Sequence, residues 1–316
     1  MMQSNLLSDR QEKTNLIAIL TLCIALLSVS FAPIFIRFSE TELSANATVF
    51  NRLFIFVVVF GLGKIISHRI SPVAETDEQP PLTLQQWVLL GSVGLISIMS
   101  LVLWAISLEY TTVAKSMLLN NLTPIFTSLG GWLFLGQRFD KKFLAGMTIA
   151  LIGAIALGLE DLNGAEGSLI GDLFAVMSAV FLGTYFLVVE QLRNRFSATT
   201  ILLWRCAIGS LLLIPVVLLT TGQLFPTTST AVLGVLGLGI ICEGFGQRLL
   251  ADTMDKLSSS FVSLFLLLEP IVSAILAWII FMERLSSVTW LGFAVVLTGI
   301  YLAQSSSAAL QKQTVH

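Results

Sequence analysis

Five charged side chains stand inside apolar runs, where no water is expected to solvate them. Glu243 lies in LGIICEGFGQR, and Glu269 comes immediately before Pro270 in SLFLLLEPIVSAILAW. Lys115, Arg52 and Arg205 are embedded in the same way. An ionised group in hydrocarbon costs at least ~2.5–3.5 kcal/mol, so each needs a partner or a task. A carboxylate at that depth can bind a cation, take up a proton or hold an amine. The plainer reading is a protonated acid hydrogen-bonded to a neighbouring helix, and both readings stay open for Glu243 and Glu269. Pro270 cannot donate to the helix ladder, so the backbone opens beside Glu269. Lys115 either meets an anionic group or snorkels to the membrane surface. Asn120 and Asn121 lie deeper in the same run, ahead of Pro124. Arg52 and Arg205, each about two turns into its helix, read as structural residues that tie helix ends to carbonyls. Trp104 and Tyr185 supply aromatic walls, as packing or around a cavity.

Catalytic chemistry finds no comparable support. The two histidines are His68, in a loop, and His316, in the tail, so neither a histidine metal site nor a bound cofactor is expected. Gly61-Leu62-Gly63-Lys64 lacks the spacing of a phosphate-binding loop. A lipid-modifying membrane enzyme would need a nucleophile–base pair or a metal cluster, and a channel or scaffold would show a polar stripe or a filter loop. Neither pattern is visible, and the chain is not expected to be an enzyme.

The elements that must position these groups follow from composition. Of 316 residues, 55% are hydrophobic and only 11% charged, against about 25% charged in soluble domains. The apolar residues come in runs of about 20, the length a helix needs to cross the hydrocarbon. The expected fold is an all-α polytopic membrane protein. Its ten transmembrane helices are read at 15–36, 44–66, 84–108, 112–135, 142–159, 168–189, 198–219, 230–251, 258–281 and 288–303. With the N-terminus inside, twelve Lys and Arg fall on inner loops and tails, and only Arg37 and Arg284 on outer ones. That bias places both termini in the cytoplasm. The net charge of −2 argues against a nucleic-acid partner. Cys23, Cys206 and Cys242 all lie in apolar runs and read as buried small side chains rather than a disulfide framework.

The chain also repeats itself. MLLNNLTPIFTSLGGWLFLGQRF, from Met117, returns as SLFLLLEPIVSAILAWIIFMERL, from Ser263: Pro270 answers Pro124, Trp278 answers Trp132 and Arg284 answers Arg138, at a constant offset of 146 positions. Gly146 and Gly153 meet Gly292 and Gly299 in that register, on one face of each helix. Small residues permit close helix approach, so spans 5 and 10 are read as a packing pair or a dimer face. Five spans per repeat is odd, so the second copy enters the membrane from the opposite side. Inverted repeats of this kind are frequent in secondary transporters. The first repeat covers 15–159 and the second 168–303, with tails at 1–14 and 304–316.

These two copies resemble the ten-span EamA-type permeases of the drug/metabolite transporter superfamily. Members typically end the proline-bearing helix on Trp and a Gly-Glu pair, where this chain has Gly136-Gln137 and Met282-Glu283. The resemblance implies cytoplasmic termini and a central cavity lined by spans 1, 3, 4, 6, 8 and 9. It also implies transport of small metabolites across a bacterial inner membrane, as a monomer or homodimer, with protons a candidate coupling ion. The expectation is therefore a secondary transporter of small polar or amphipathic metabolites such as amino acids, an exporter working by alternating access. Glu243, Glu269, Lys115, Asn120, Asn121, Trp104 and Tyr185 are its candidate binding or coupling residues. Pro124, Pro270, Arg52 and Arg205 are its structural or gating residues.

Overall fold

The computed structural model describes residues 2–70, 83–110, 116, 119–160, 169–281 and 287–306. Among them there is helix and no strand, as an apolar solvent demands of any chain that does not close into a barrel. The helices are α1 (Met2–Ser30), α2 (Ala32–Ser39), α3 (Ala45–Ile70), α4 (Leu84–Tyr110), α5 (Thr123–Leu135), α6 (Lys141–Glu160), α7 (Leu169–Leu192) and α8 (Ala198–Thr220). After them come α9 (Ser229–Leu236), a π-helical segment (Gly237–Gln247), α10 (Arg248–Thr253), α11 (Ser259–Phe265), a 3-10 turn (Leu266–Leu268), α12 (Glu269–Phe281) and α13 (Ser287–Gln304).

The ten spans read from the sequence compare with seven stretches long and apolar enough to cross a membrane, among the described residues. These are Leu16–Ser39, Ala45–Ile66, Leu84–Trp104, Leu169–Leu192, Ala198–Thr220, Ser229–Thr253 and Ser259–Ile280; Thr123–Leu135 and Trp290–Ala303 are shorter apolar helices. Proline accounts for several of the interruptions. Pro124 sits in the first turn of α5, where its missing N–H costs nothing. Pro270 follows Glu269 at the start of α12, after the 3-10 turn. Pro33 starts α2 just past a break at Phe31, which splits the first rod.

Helix pairing follows a pattern. α3 packs on α8, α6 on α13 and α5 on α11. α4 packs on α7 as α1 packs on the π segment and α10. α4 also meets α8 as α3 meets the π segment, and α5 meets α7 as α1 meets α12. Exchanging the first five sequence spans for the last five leaves this set of neighbours unchanged. The α6–α13 contact is the closest. A Cβ on Gly146 would lie 2.5 Å from the Gly299 carbonyl oxygen, and one on Gly299 would lie 2.6 Å from that of Gly146. The glycine faces thus seat the two helices of one chain against each other.

Two of the three cysteines are buried, but Cys23 is exposed, contrary to the expectation that all three are buried. Helix α1 gives the core only one face, through Leu22, Ala25 and Leu26, and Cys23 points off it.

Both ends of the bundle are tied by polar contacts. At the end rich in Lys and Arg, Lys64 donates to Thr200 Oγ1 (2.8 Å), Arg193 Nε to the Ala251 carbonyl (3.1 Å) and Ser306 Oγ to Asp140 Oδ1 (2.8 Å). At the opposite end Glu42 fastens the α2–α3 turn to the start of α9. It accepts from Thr227 N (2.7 Å) and Oγ1 (2.5 Å), from Thr228 N (2.8 Å) and Oγ1 (2.6 Å), and from Gln223 Nε2 (2.8 Å). The hydroxyls of Thr227 and Thr228, then their backbone N–H groups, lower its pKa from 4.5 to about 2. A depressed carboxylate contributes stability above its unfolded pKa and loses it as pH falls through the folded one. The contribution of Glu42 is therefore expected to be complete above about pH 4.5 and to vanish as pH falls toward about 2. Thermal unfolding in detergent checks this: the stability difference between wild type and Glu42→Gln should shrink steadily across that window.

Candidate functional site

The embedded charges converge. Glu243 lies near the middle of the π segment with its side chain fully buried, between two arginines from different helices. Arg52 Nε of α3 donates to Glu243 Oε2 at 2.7 Å, and Arg205 Nη1 of α8 pairs with Oε1. Both arginines therefore end on a carboxylate rather than on helix-end carbonyls. Arg205 is held further by its Nε–H to Ser97 Oγ of α4 (2.8 Å) and by the Tyr185 ring of α7, whose centroid lies 5.0 Å from its guanidinium carbon. Cys206 Sγ donates weakly to Glu243 Oε1 at 3.5 Å. Five helical elements thus meet around one carboxylate.

Local sequence explains how Glu243 gets there. Gly234, Gly237, Gly239, Gly244 and Gly246 let the eighth span lie against its neighbours without side chains of its own. A Cβ on Gly234 would come within 2.8 Å of the Phe35 carbonyl oxygen, one on Gly237 within 2.6 Å of the Phe35 ring, and one on Gly246 within 2.7 Å of Val29. π-helical turns are rare and tend to occur at functional sites. This one runs for 11 residues around Glu243.

Glu269 belongs to the same region. It begins α12, which packs on α1, and α1 packs in turn on the π segment that carries Glu243. One turn on, Ser273 Oγ donates to the Ser30 carbonyl at 3.0 Å, joining this part of α12 to the end of α1 beside the break in the first rod. Of the other candidates, Trp104 Nε1–H and Asn120 Oδ1 are buried without a hydrogen-bond partner among the described residues. Thr123 Oγ1 donates to the Asn120 carbonyl at 2.6 Å, helping to shape the turn that precedes Pro124. Asn121 is half-buried in that turn, and Lys115 falls outside the described residues. A 530 Å³ groove between α2, α9 and the π segment is lined by Phe35, Phe38, Thr230, Leu233, Leu236 and Ile240, with no charged side chain among its described lining residues. It is an apolar flank of the protein, not the polar site.

A second buried network escaped the sequence reading. Gly136 takes φ 64°, the left-handed conformation glycine adopts without strain, and ends α5. The chain then turns Gln137 inward. Gln137 Nε2 donates to both oxygens of Glu190 (3.0 and 3.1 Å), Ser259 N donates to Glu190 Oε2 (2.9 Å), and Ser260 Oγ donates to Gln137 Oε1 (3.0 Å). Glu190 is only 5% exposed, and no cation pairs with it among the described residues. The available signal was Gln137 itself, a polar side chain closing an echoed apolar helix. Its partner Glu190 had been placed just beyond the end of span 6.

Among the described residues no group of His, Cys, Asp and Glu is arranged to hold a metal ion. The arrangement instead offers buried charge, carried by helices from both halves and set beside helix breaks.

Comparison with known proteins agrees with this architecture. A solved protein structure that is 17% identical superposes with a TM-score of 0.75, covering 91% of this chain and 98% of its own, which speaks to fold alone. An uncharacterized transporter of Archaeoglobus fulgidus is 24% identical over 62% of this chain and 68% of its own length. A probable amino-acid metabolite efflux pump of Escherichia coli is 22% identical over 56% and 62%. A probable terminal-alkyne amino-acid exporter of Streptantibioticus cattleyicolor is 24% identical over 68% and 71%. The chain thus spans about two thirds of the length of these relatives. The EamA-like transporter family matches residues 16–159 and again 169–304, once for each repeat. With both copies matched, this chain belongs to the EamA-like transporter family, within the drug/metabolite transporter superfamily, and is a multi-pass membrane transporter rather than an enzyme.

Proposed function

We propose that the protein is a secondary active exporter of small polar metabolites, amino acids or close relatives, working by alternating access. The observation that carries this is the Arg52–Glu243–Arg205 cluster, a fully buried carboxylate bridging helices α3 and α8 of opposite halves. Intramembrane charge of this kind marks substrate or ion pathways. The exchange-symmetric helix pairing supports two inverted five-span repeats, which allow one end to open as the other closes. Breaks before Pro124 and Pro270 fit the discontinuous helices that build midplane binding sites. Two named relatives handle amino-acid compounds. The Lys and Arg bias supports cytoplasmic termini, the family resemblance suggests a bacterial inner membrane, and Glu243 and Glu269 are the candidates for substrate binding or proton coupling.

The test is solute movement in proteoliposomes with amino acids, amines and nucleotide derivatives, with and without a pH gradient. At least one amino-acid-class solute is expected to cross at a rate well above that of empty vesicles. If no solute crosses under any gradient, the transporter reading fails.

A further inference from the structure

Arg52 is only half used by its protein partners. Its Nε is committed to Glu243 at 2.7 Å, but among the described residues no acceptor lies within hydrogen-bonding distance of Nη1 or Nη2. Its side chain is 21% exposed, whereas Arg205, which shares the same carboxylate, is 10% exposed and closed in by Ser97 and Tyr185. The charge balance points the same way. Two guanidiniums share one carboxylate, so the outer face of Arg52 has no directly bonded anion of its own. An uncompensated buried charge is costly, and an arriving anion would relieve it. Glu269 is also unengaged: no donor or cation bonds its carboxylate among the described residues, and it begins α12, which packs on α1 while α1 and the Arg52-bearing α3 both pack on the π segment.

We propose that Arg52 binds the carboxylate of a zwitterionic substrate through its free Nη1 and Nη2, while Glu269 receives the substrate's ammonium group; this rests on the transport reading above. The guanidinium fork matches a carboxylate in two parallel hydrogen bonds, which an ammonium on a flexible stem does not. Glu243 and Arg205 are then positioning residues. Glu243 holds the near side of Arg52 so that its far side faces the substrate, and Arg205 keeps Glu243 charge-paired when Arg52 turns to its ligand.

The experiment uses the full-length protein with three probe families: L-leucine, L-threonine and L-phenylalanine, their methyl esters, which lack the carboxylate, and their α-hydroxy acids, which lack the amine. Each is read by competition for transport in proteoliposomes and by thermal stabilisation of the purified protein in detergent. Arg52→Gln is expected to weaken the amino acids and the hydroxy acids by about 10- to 100-fold and to leave the esters unchanged. Arg52→Lys recovers part of the loss. Glu269→Gln weakens the amino acids and the esters and spares the hydroxy acids. Arg52→Gln leaves the Arg205–Glu243 pair charge-balanced, so its elution profile in detergent should match that of wild type. Should it misfold, the wild-type series decides on its own, because esters that compete as well as the parent amino acids contradict the proposal. An equal loss of all three families in Arg52→Gln also overturns it. If other solutes cross while none of these probes binds, the proposal falls and the transport reading stands; if nothing crosses, both fall.

Discussion

Replacing Glu243 by alanine is expected to destabilise the protein by about 3–5 kcal/mol, the cost of stripping one partner from a buried ionic cluster. In wild type a single fully buried carboxylate serves both Arg52 and Arg205. The alanine variant leaves two positive charges facing each other across a small void with no oxygen between them. Removing one arginine is a different experiment, because the remaining arginine and Glu243 still cancel. The expected order of loss is therefore Glu243→Ala well beyond Arg52→Gln. Glu243→Gln falls between them, since its amide oxygen still accepts one hydrogen bond but cancels no charge. The fraction of protein that stays monodisperse in detergent after heating measures this order. A Glu243→Ala variant as stable as wild type would show that the cluster contributes nothing to the fold.

The second large effect is expected where α6 meets α13. Leucine at Gly146 or Gly299 must place its first side-chain carbon 2.5–2.6 Å from the opposite helix's carbonyl oxygen. Because the obstacle is backbone, no rotamer relieves the overlap and the helices must separate along their length. Overpacking inside a core costs typically 1–3 kcal/mol, and a forced separation of two helices is expected to reach or exceed about the top of that range. Gly63 and Gly91 are suitable controls, since a Cβ there meets nothing within 4 Å. Leucine at either should leave the unfolding temperature within a few degrees of wild type, while leucine at Gly146 or Gly299 should lower the yield of folded protein sharply. Equal behaviour at all four sites would contradict the packing described.

Much of this architecture could be read from residue order, and the rest resisted for identifiable reasons. The opening at Pro270 was legible because a missing N–H acts on the proline's own turn, whereas span 4 was read as one helix, 112–135, through the break that precedes Pro124. The glycine face of Gly146 and Gly299 was legible because small residues seven apart line one side of a helix. Arg52 and Arg205 were legible as residues at a like depth, each about two turns into its helix, but their common partner was not. Glu243 lies 191 positions from one and 38 from the other, and only the packing of α3 on both α8 and the π segment brings them together. The glycines around Glu243 do not distinguish π from α winding, because that depends on the rings and carbonyls they press against. Glu190 was missed because it falls at a helix end, where a carboxylate is usually solvated. The outward turn of Cys23 depends on which face of α1 meets the core, and a run apolar on every side does not reveal that.

The Gln137–Glu190–Ser259 network bears on the tempo of the transport cycle. Glu190 is held by neutral donors alone among the described residues, at the end of the bundle where the Lys and Arg residues gather. Under the alternating access proposed above, opening that end would trade three protein hydrogen bonds for bonds to water, a net loss of about 0.5–1.5 kcal/mol per bond and so about 1.5–4.5 kcal/mol together. Between the two states, however, the carboxylate has released one set of donors and not yet gained the other. In that mechanism the network would be a well for the closed form as well as part of the barrier to leaving it, lengthening the closed state within the microsecond-to-millisecond range of such gating motions. An occupant of the charged cluster would then shift the balance only by binding the open form more tightly by a comparable amount.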